Sequence, residues 1–270
     1  MSHIAELRRK ASRLRPRRIR LYGIGLGRSG TKSLAHVFGA YRSAHEAGEH
    51  RMVPLATDVI EGRLAADSAA PLDALRQRDH RYRLEVDVAQ FLSPFAGTLA
   101  TLHPEARFVL LLRDCFSWLD SRVEKIYRDR QRLDSLWGPW IHALYASADD
   151  RHAHEEEVLR TAGLYPVAAY LRAWAAVNDG ILRTVPADRL LVVRTEDLSG
   201  SIDRVAAFVG VPASKLIATH TNQAPLRTGV LAEVPPAFIV ARARELCSPL
   251  MERYWGSDWI DLADRPPTST

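Results

Sequence analysis

The run Leu21-Tyr22-Gly23-Ile24-Gly25-Leu26-Gly27-Arg28-Ser29-Gly30-Thr31-Lys32-Ser33-Leu34 constrains this chain more than any other segment. The apolar stretch from Ile19 to Ile24 predicts a strand that feeds a glycine-rich turn. Leu34, Val37 and Phe38 then fall on one face of a helix leaving the turn. Glycines let a backbone approach a ligand closely, and the first N–H groups of a helix have no partner within it. A strand, turn and helix in this order therefore make an anion site. Arg28, Ser29, Thr31, Lys32 and Ser33 add two cations and three hydroxyls to the same spot. The ligand such a turn selects is multiply anionic, most simply a phosphate.

The turn can be spelled in several ways. Gly25-x-Gly27-x-x-Gly30 satisfies the dinucleotide fingerprint, and Glu46 lies near the place of a ribose-binding carboxylate. That turn works by backbone approach, however, and has no use for Arg-Ser-Gly-Thr-Lys-Ser. A kinase-type loop needs Gly-x4-Gly-Lys-Ser/Thr; Gly25 and Gly30 are spaced for it, but Thr31 intrudes before Lys32 and Ser33. Two further segments bear on the choice. Ala106 to Leu112 is almost wholly apolar, the signature of a strand buried on both faces of a parallel sheet. It ends at Arg113-Asp114, and Ser121 follows Arg113 by eight residues, about two turns into the next helix. Later, Asp188 to Leu198 reads as a strand ending in Arg194-Thr195-Glu196-Asp197-Leu198. A helix closing on Phe208-Val209-Gly210-Val211-Pro212 follows, and then the turn Leu226-Arg227-Thr228-Gly229.

On these residues the chain resembles the sulfotransferases that use 3′-phosphoadenosine 5′-phosphosulfate (PAPS), of the bacterial soluble type, from about residue 18 to residue 259. The resemblance implies an α/β fold: a central parallel sheet flanked by helices, P-loop-NTPase-like, with a helical insert. It implies a donor cradle of Gly27, Arg28, Ser29, Gly30, Thr31, Lys32 and Ser33. Arg113 and Ser121 would hold the 3′-phosphate, aided by Arg227 and Gly229, although Thr228 stands where that turn has lysine. Arg28 takes the place of the cytosolic members' lysine. An arginine stays charged and donates protons poorly, so its expected role is charge stabilisation. Lys32 is expected to reach the 5′-phosphate as well.

The acceptor hydroxyl needs a base. Glu46, just after the second predicted strand, is the first choice and His45 the second. Glu85 and Asp87, near the end of the third, are expected to bind acceptor hydroxyls or to serve as an alternative base. Trp137 and Trp140 are expected at the acceptor pocket. The expected reaction moves a sulfuryl group from PAPS to a hydroxyl of a small molecule or carbohydrate, releasing 3′,5′-adenosine bisphosphate (PAP), without metal. A kinase using Asp114 to hold Mg²⁺, or an inactive nucleotide-binding protein, remains the alternative.

Length and patterning fit one α/β domain over 18–270, with 115–183 mostly helical on the acceptor side and a break at Trp137-Gly138-Pro139-Trp140. Further strands are expected at Tyr41–His45, Tyr82–Val88 and Arg189–Val193. The formal charge of +5 is unevenly spread: the first twenty residues carry +7 and the rest −2. A basic arm, 1–17, on a near-neutral body is unlike a nucleic-acid-binding face and reads as a loose terminus. Two cysteines and no long apolar run point to a reducing, cytoplasmic setting without a membrane span. His152-x-His154 with Glu155, Glu156 and Glu157 reads as a polar helix start rather than a metal site.

Overall fold

The computed structural model of the chain describes residues 16–129, 135–147, 151–218 and 228–264. Five strands form one sheet: β1 (Leu21–Ile24), β2 (Ser43–His45), β3 (Val86–Val88), β4 (Arg107–Leu112) and β5 (Leu190–Arg194). Their order is β2-β3-β1-β4-β5, and every pair is parallel. Parallel neighbours need crossovers, and helices supply them. These are α1 (Thr31–Val37), α2 (Glu49–Ile60), α3 (Ala69–Tyr82), α4 (Ala96–Leu102), α5 (Cys115–Asp129), α6 (Trp137–Tyr145), α7 (Glu157–Thr161), α8 (Val167–Thr184), α9 (Ile202–Val209) and α10 (Pro236–Trp255).

β1 and, after Arg107, β4 carry no charged residue and are buried at every position because both faces of the sheet are covered. Side chains alternate between faces. Leu21, Val109 and Leu111 pack with Leu34, Val37 and Phe38 on one side. Tyr22, Ile24, Phe108 and Leu110 pack with Met52, Phe91 and Trp140 on the other. A third core, with Trp118, Tyr170, Trp174 and Met251 in it, binds α5, α8 and α10 into one helical body.

The chain leaves β1 toward the β2 edge and later returns to β4 on the opposite side, so the strand order reverses at β1. The loops after β1 and β4 therefore open on one crevice at the carboxyl ends of the strands, where ligands gather in such sheets. No helix among the described residues is long and apolar enough to cross a membrane.

Several boundaries differ from expectation. Tyr82 closes α3 instead of opening a strand, Arg83 turns left-handed at φ 47°, and β3 starts only at Val86. β2 likewise shrinks to Ser43–His45. Phe38 caps α1 from outside it. The segment Trp137 to Trp140 does not interrupt a helix but opens α6; Pro139 sits in the first turn, where a missing N–H costs no intrahelical bond. Arg17, assigned to the arm, is held by the body: its guanidinium donates to Leu84 O at 2.9 Å and pairs with Asp79 at 2.6 Å.

Candidate functional site

The carbonyl oxygens of the turn after β1 are engaged one after another. Ser93 Oγ donates to Gly25 O at 3.1 Å, and Ser29 N–H to Leu26 O at 3.3 Å. Trp118 Nε1 donates to Gly27 O at 3.0 Å, and Arg113 Nη1 to Arg28 O at 3.1 Å. Thr195 Oγ1 donates to Ser29 O at 2.9 Å, and Leu34 N–H to Gly30 O at 3.1 Å. Six consecutive carbonyl oxygens, from residue 25 to residue 30, are thus engaged by four side chains from elsewhere in the chain and by two N–H groups of the turn and its helix. Gly30 precedes α1 at φ 87°, a conformation that penalises a side chain. The first N–H groups of α1 follow, unsatisfied within the helix by geometry.

Arg28 and Glu46 are two of the three non-glycine residues with positive φ among the described residues, at 76° and 55°. Both occupy the left-handed region, which costs energy and tends to persist where a site requires it. The Arg28 side chain runs to α5, where its Nε donates to Ser121 Oγ at 2.9 Å. Burial pushes its guanidinium pKa down, and the neighbouring Arg113, Arg128 and Arg122 push it further, with Asp129 opposing. Arg113 Nε donates to Ser117 Oγ at 2.9 Å. Ser121 thus meets Arg28, Arg113 meets Ser117, and the two arginines are joined through the Arg28 carbonyl. Asp114 accepts from Ser117 N–H at 2.8 Å and caps α5.

Behind the turn, Thr31 Oγ1 lies 3.0 Å from His45 Nε2 at the end of β2. Burial lowers the His45 pKa and the Lys32 cation lowers it further, against the opposing Glu46 carboxylate. The imidazole is thereby kept neutral near pH 7. Glu46 N–H donates to Val88 O at 2.8 Å, and Glu46 Oε1 accepts from Gln90 Nε2 at 2.8 Å. The other carboxylate oxygen is 3.9 Å from His45 Nδ1. Thr31, Lys32, His45 and Glu46 thus sit together beside the turn.

Five expected site residues lie elsewhere or make other contacts. Glu85 precedes β3 and sits at the amino end of the sheet, fully buried and paired with Arg18 at 2.9 Å and Arg42 at 3.7 Å. Burial alone would raise its carboxyl, but the Arg18 guanidinium and the Arg42 and Arg18 N–H groups outweigh that and hold it at about 2. It faces away from the crevice and is no acceptor ligand. Asp87 is buried in a bidentate pair with Arg78, whose Nε also donates to Ala47 O at 2.8 Å. Through Arg78 it braces the segment after Glu46. Trp140 is a core residue, 2 % exposed, with Trp137 edge-on to it at 6.2 Å. Half-buried Trp137 packs on Phe91 at 6.3 Å. Gly229, left-handed at φ 77°, gives its N–H to Glu124 of α5 at 2.8 Å, so that N–H is already used. Arg227 lies outside the described residues. Sequence reading passed over Gln90, Ser93, Ser117, Trp118 and Thr195, which hold the turn and its neighbours. Among the described residues no group of three His, Cys, Asp or Glu side chains is placed to hold a metal ion.

A parallel α/β sheet with a glycine-rich strand–turn–helix at the reversal of its strand order places a ligand crevice at that point. The sequence pattern of the sulfotransferase domain matches residues 20–225, and the chain belongs to the sulfotransferase family. Among solved structures it is similar to the sulfotransferase from Alicyclobacillus acidocaldarius, at 18% identity over 87% of this chain and 96% of that one, with a TM-score of 0.49. It is also similar to the sulfotransferase domain from the curacin biosynthetic pathway, at 14% identity over 82% and 79% of the two chains, with a TM-score of 0.40. A third is the sulfotransferase domain of the Synechococcus PCC 7002 olefin synthase, at 16% identity over 93% and 96%, with a TM-score of 0.38. No curated protein matches the chain.

Proposed function

We propose that this sulfotransferase takes its sulfuryl group from PAPS and passes it to a hydroxyl of a small molecule or carbohydrate, with Glu46 as the base. The observation that carries the donor assignment is the turn itself. Its carbonyls from residue 25 to residue 30 already accept hydrogen bonds, while Arg28 lies among Arg113, Arg128 and Arg122 with Asp129 as the opposing charge. A pocket with a surplus of N–H groups and guanidiniums fits a ligand bearing phosphates at two positions. Arg28, Lys32 and the N–H groups from Gly30 to Ser33 would hold the 5′-phosphosulfate; Arg113, Ser121 and the adjoining Ser117 would hold the 3′-phosphate.

When bound, the donor supplies an activated sulfuryl group with a phosphate as its leaving group. The protein's share is position and charge. Arg28 and Lys32 face the negative charge that builds as the leaving oxygen departs. Glu46 Oε2, the oxygen not held by Gln90, accepts the acceptor's proton as its oxygen bonds to sulfur. His45, neutral and bonded to Thr31, fixes the wall between turn and base. Asp114, the carboxylate that a magnesium-dependent phosphotransferase would want beside this turn, is engaged in capping α5.

The test is release of sulfate and PAP from PAPS with water as acceptor, whose attack also needs a base. Wild type turns over slowly, and Glu46→Gln loses about 100-fold or more while its affinity for PAP stays unchanged. Equal turnover in the two proteins would remove Glu46 from the reaction.

A further inference from the structure

We infer that Gln90 is a positioning residue that locks the Glu46 carboxylate against the donor turn. The inference rests on the reading of Glu46 as base. Gln90 begins the 3₁₀ turn Gln90–Phe95 that leaves β3, and this turn grips the donor loop at a second point, where Ser93 Oγ exchanges bonds with Gly25 N–H and Gly25 O, each at 3.1 Å. Gln90 Nε2 donates to Glu46 Oε1 at 2.8 Å. An ionised carboxylate only accepts hydrogen bonds, so the amide nitrogen must face Glu46 and the amide oxygen must face the other way. That oxygen is fully buried and has no partner among the described residues. It lies against the loop: a Cβ added to Gly27 would come within 2.5 Å of it, so a side chain at Gly27 would push the amide out of this place.

A buried carbonyl without a donor is costly, and leucine or methionine would fill the same space without that cost. What those residues lack is the N–H that Glu46 accepts. The charged and titratable groups around Glu46 do not supply it. His45 Nδ1 stands 3.9 Å from Oε2, while Lys32 and Glu49 act on His45 only through their charges. Glu46 is also left-handed, with its N–H given to Val88 O, so its backbone is fixed and the side chain has one strong anchor. Gln90 is that anchor. One end of a single amide touches the base and the other touches the loop that carries Arg28, which sets the distance between proton acceptance and leaving-group stabilisation.

Gln90→Leu tests this with turnover of PAPS to PAP in water and calorimetry of PAP. Turnover is expected to fall about 100-fold, the size of a misplaced reacting group, with PAP affinity within about twofold of wild type. Glu46→Gln/Gln90→Leu is expected to be no slower than Glu46→Gln alone, because both changes remove one function. Gln90→Glu adds a signature that a packing role does not have. Two facing carboxylates share a proton more readily as pH falls, and the protonated partner again donates. Its turnover relative to wild type should rise between pH 8 and pH 5.5, while that of Gln90→Leu stays flat. Gln90→Leu at wild-type speed beside an inactive Glu46→Gln would overturn this inference and leave the base reading standing. A parallel loss of PAP affinity, or a flat Gln90→Glu ratio, would reduce Gln90 to a packing residue. An active Glu46→Gln would sink both readings together.

Discussion

Arginines crowd both ends of this sheet, and the two groups are treated in opposite ways. At the amino end Arg17 and Arg20 share Asp79, Arg20 also meets Glu105, and Arg18 and Arg42 share Glu85. Arg78 beside them is paired with Asp87 inside the core. At the carboxyl end Arg28 bonds Ser121 Oγ, Arg122 bonds the Tyr145 hydroxyl, and Arg113 reaches Ser117 Oγ and a backbone carbonyl. Charge that is matched within the chain holds the fold together. In the proposed function, the guanidiniums that meet hydroxyls and a backbone carbonyl are the ones an anionic donor would engage. Counting arginines alone would make the two ends alike; asking what each guanidinium touches separates scaffold from site.

The contrast breaks most visibly at Asp87. Asp87→Ala leaves Arg78 buried without its partner, which costs about 3–5 kcal/mol and lowers Tm by roughly 10 °C in a domain of this size. A thermal melt with Tm unchanged would mean that the matched end is not what stabilises the fold. The second prediction has the opposite sign. Arg28→Met should leave Tm unchanged or raise it, since the cation is held among others of its kind, while turnover of PAPS in water falls about 100- to 1000-fold. A variant that melts early instead would place Arg28 with the scaffold.

Glu85 sharpens the comparison by pH. Its folded-state pKa of about 2 lies below the ordinary carboxylate value of 4.5. The stability it adds is therefore fully present above about pH 4.5 and disappears as pH falls toward 2. The Tm gap between wild type and Glu85→Gln should close over that window, and PAP affinity at pH 7 should be the same in both. The smallest effect is expected at Trp118→Phe, which removes one donor from the Gly27 carbonyl. About 1 kcal/mol of stability and a few-fold loss in PAP affinity are expected, read by melting and calorimetry.

The sheet was legible where burial on both faces writes a continuous apolar run, as in β1 and β4. β2 and β3 carry three residues each, too few for a period to declare itself, and their expected limits spread into the end of α3 and the turn before Ser43. That error misplaced a functional assignment. Moving the start of β3 from Tyr82 to Val86 puts Glu85 at the amino end of the strand instead of near its carboxyl end. The donor turn was legible because its chemistry is contiguous. Its supports were not: Ser93, Trp118 and Thr195 reach it from 68, 91 and 166 residues away, through bonds to backbone atoms that carry no side-chain signal. Arg113 and Ser121 stood out by their spacing, but the Arg28–Ser121 and Arg113–Ser117 contacts did not, nor did the left-handed backbone at Arg28, which an arginine in a sequence does not announce.

The most direct test is calorimetric titration of the wild-type chain with PAP, in parallel with Mg²⁺–ATP and NAD⁺, repeated on Arg113→Ala and on Arg18→Ala. Tight binding of PAP alone is predicted, lost in Arg113→Ala and retained in Arg18→Ala, with affinity falling as salt rises. Binding of Mg²⁺–ATP or NAD⁺ in place of PAP, or equal losses in the two variants, would contradict the assignment of the carboxyl-end arginines to a PAPS-type donor.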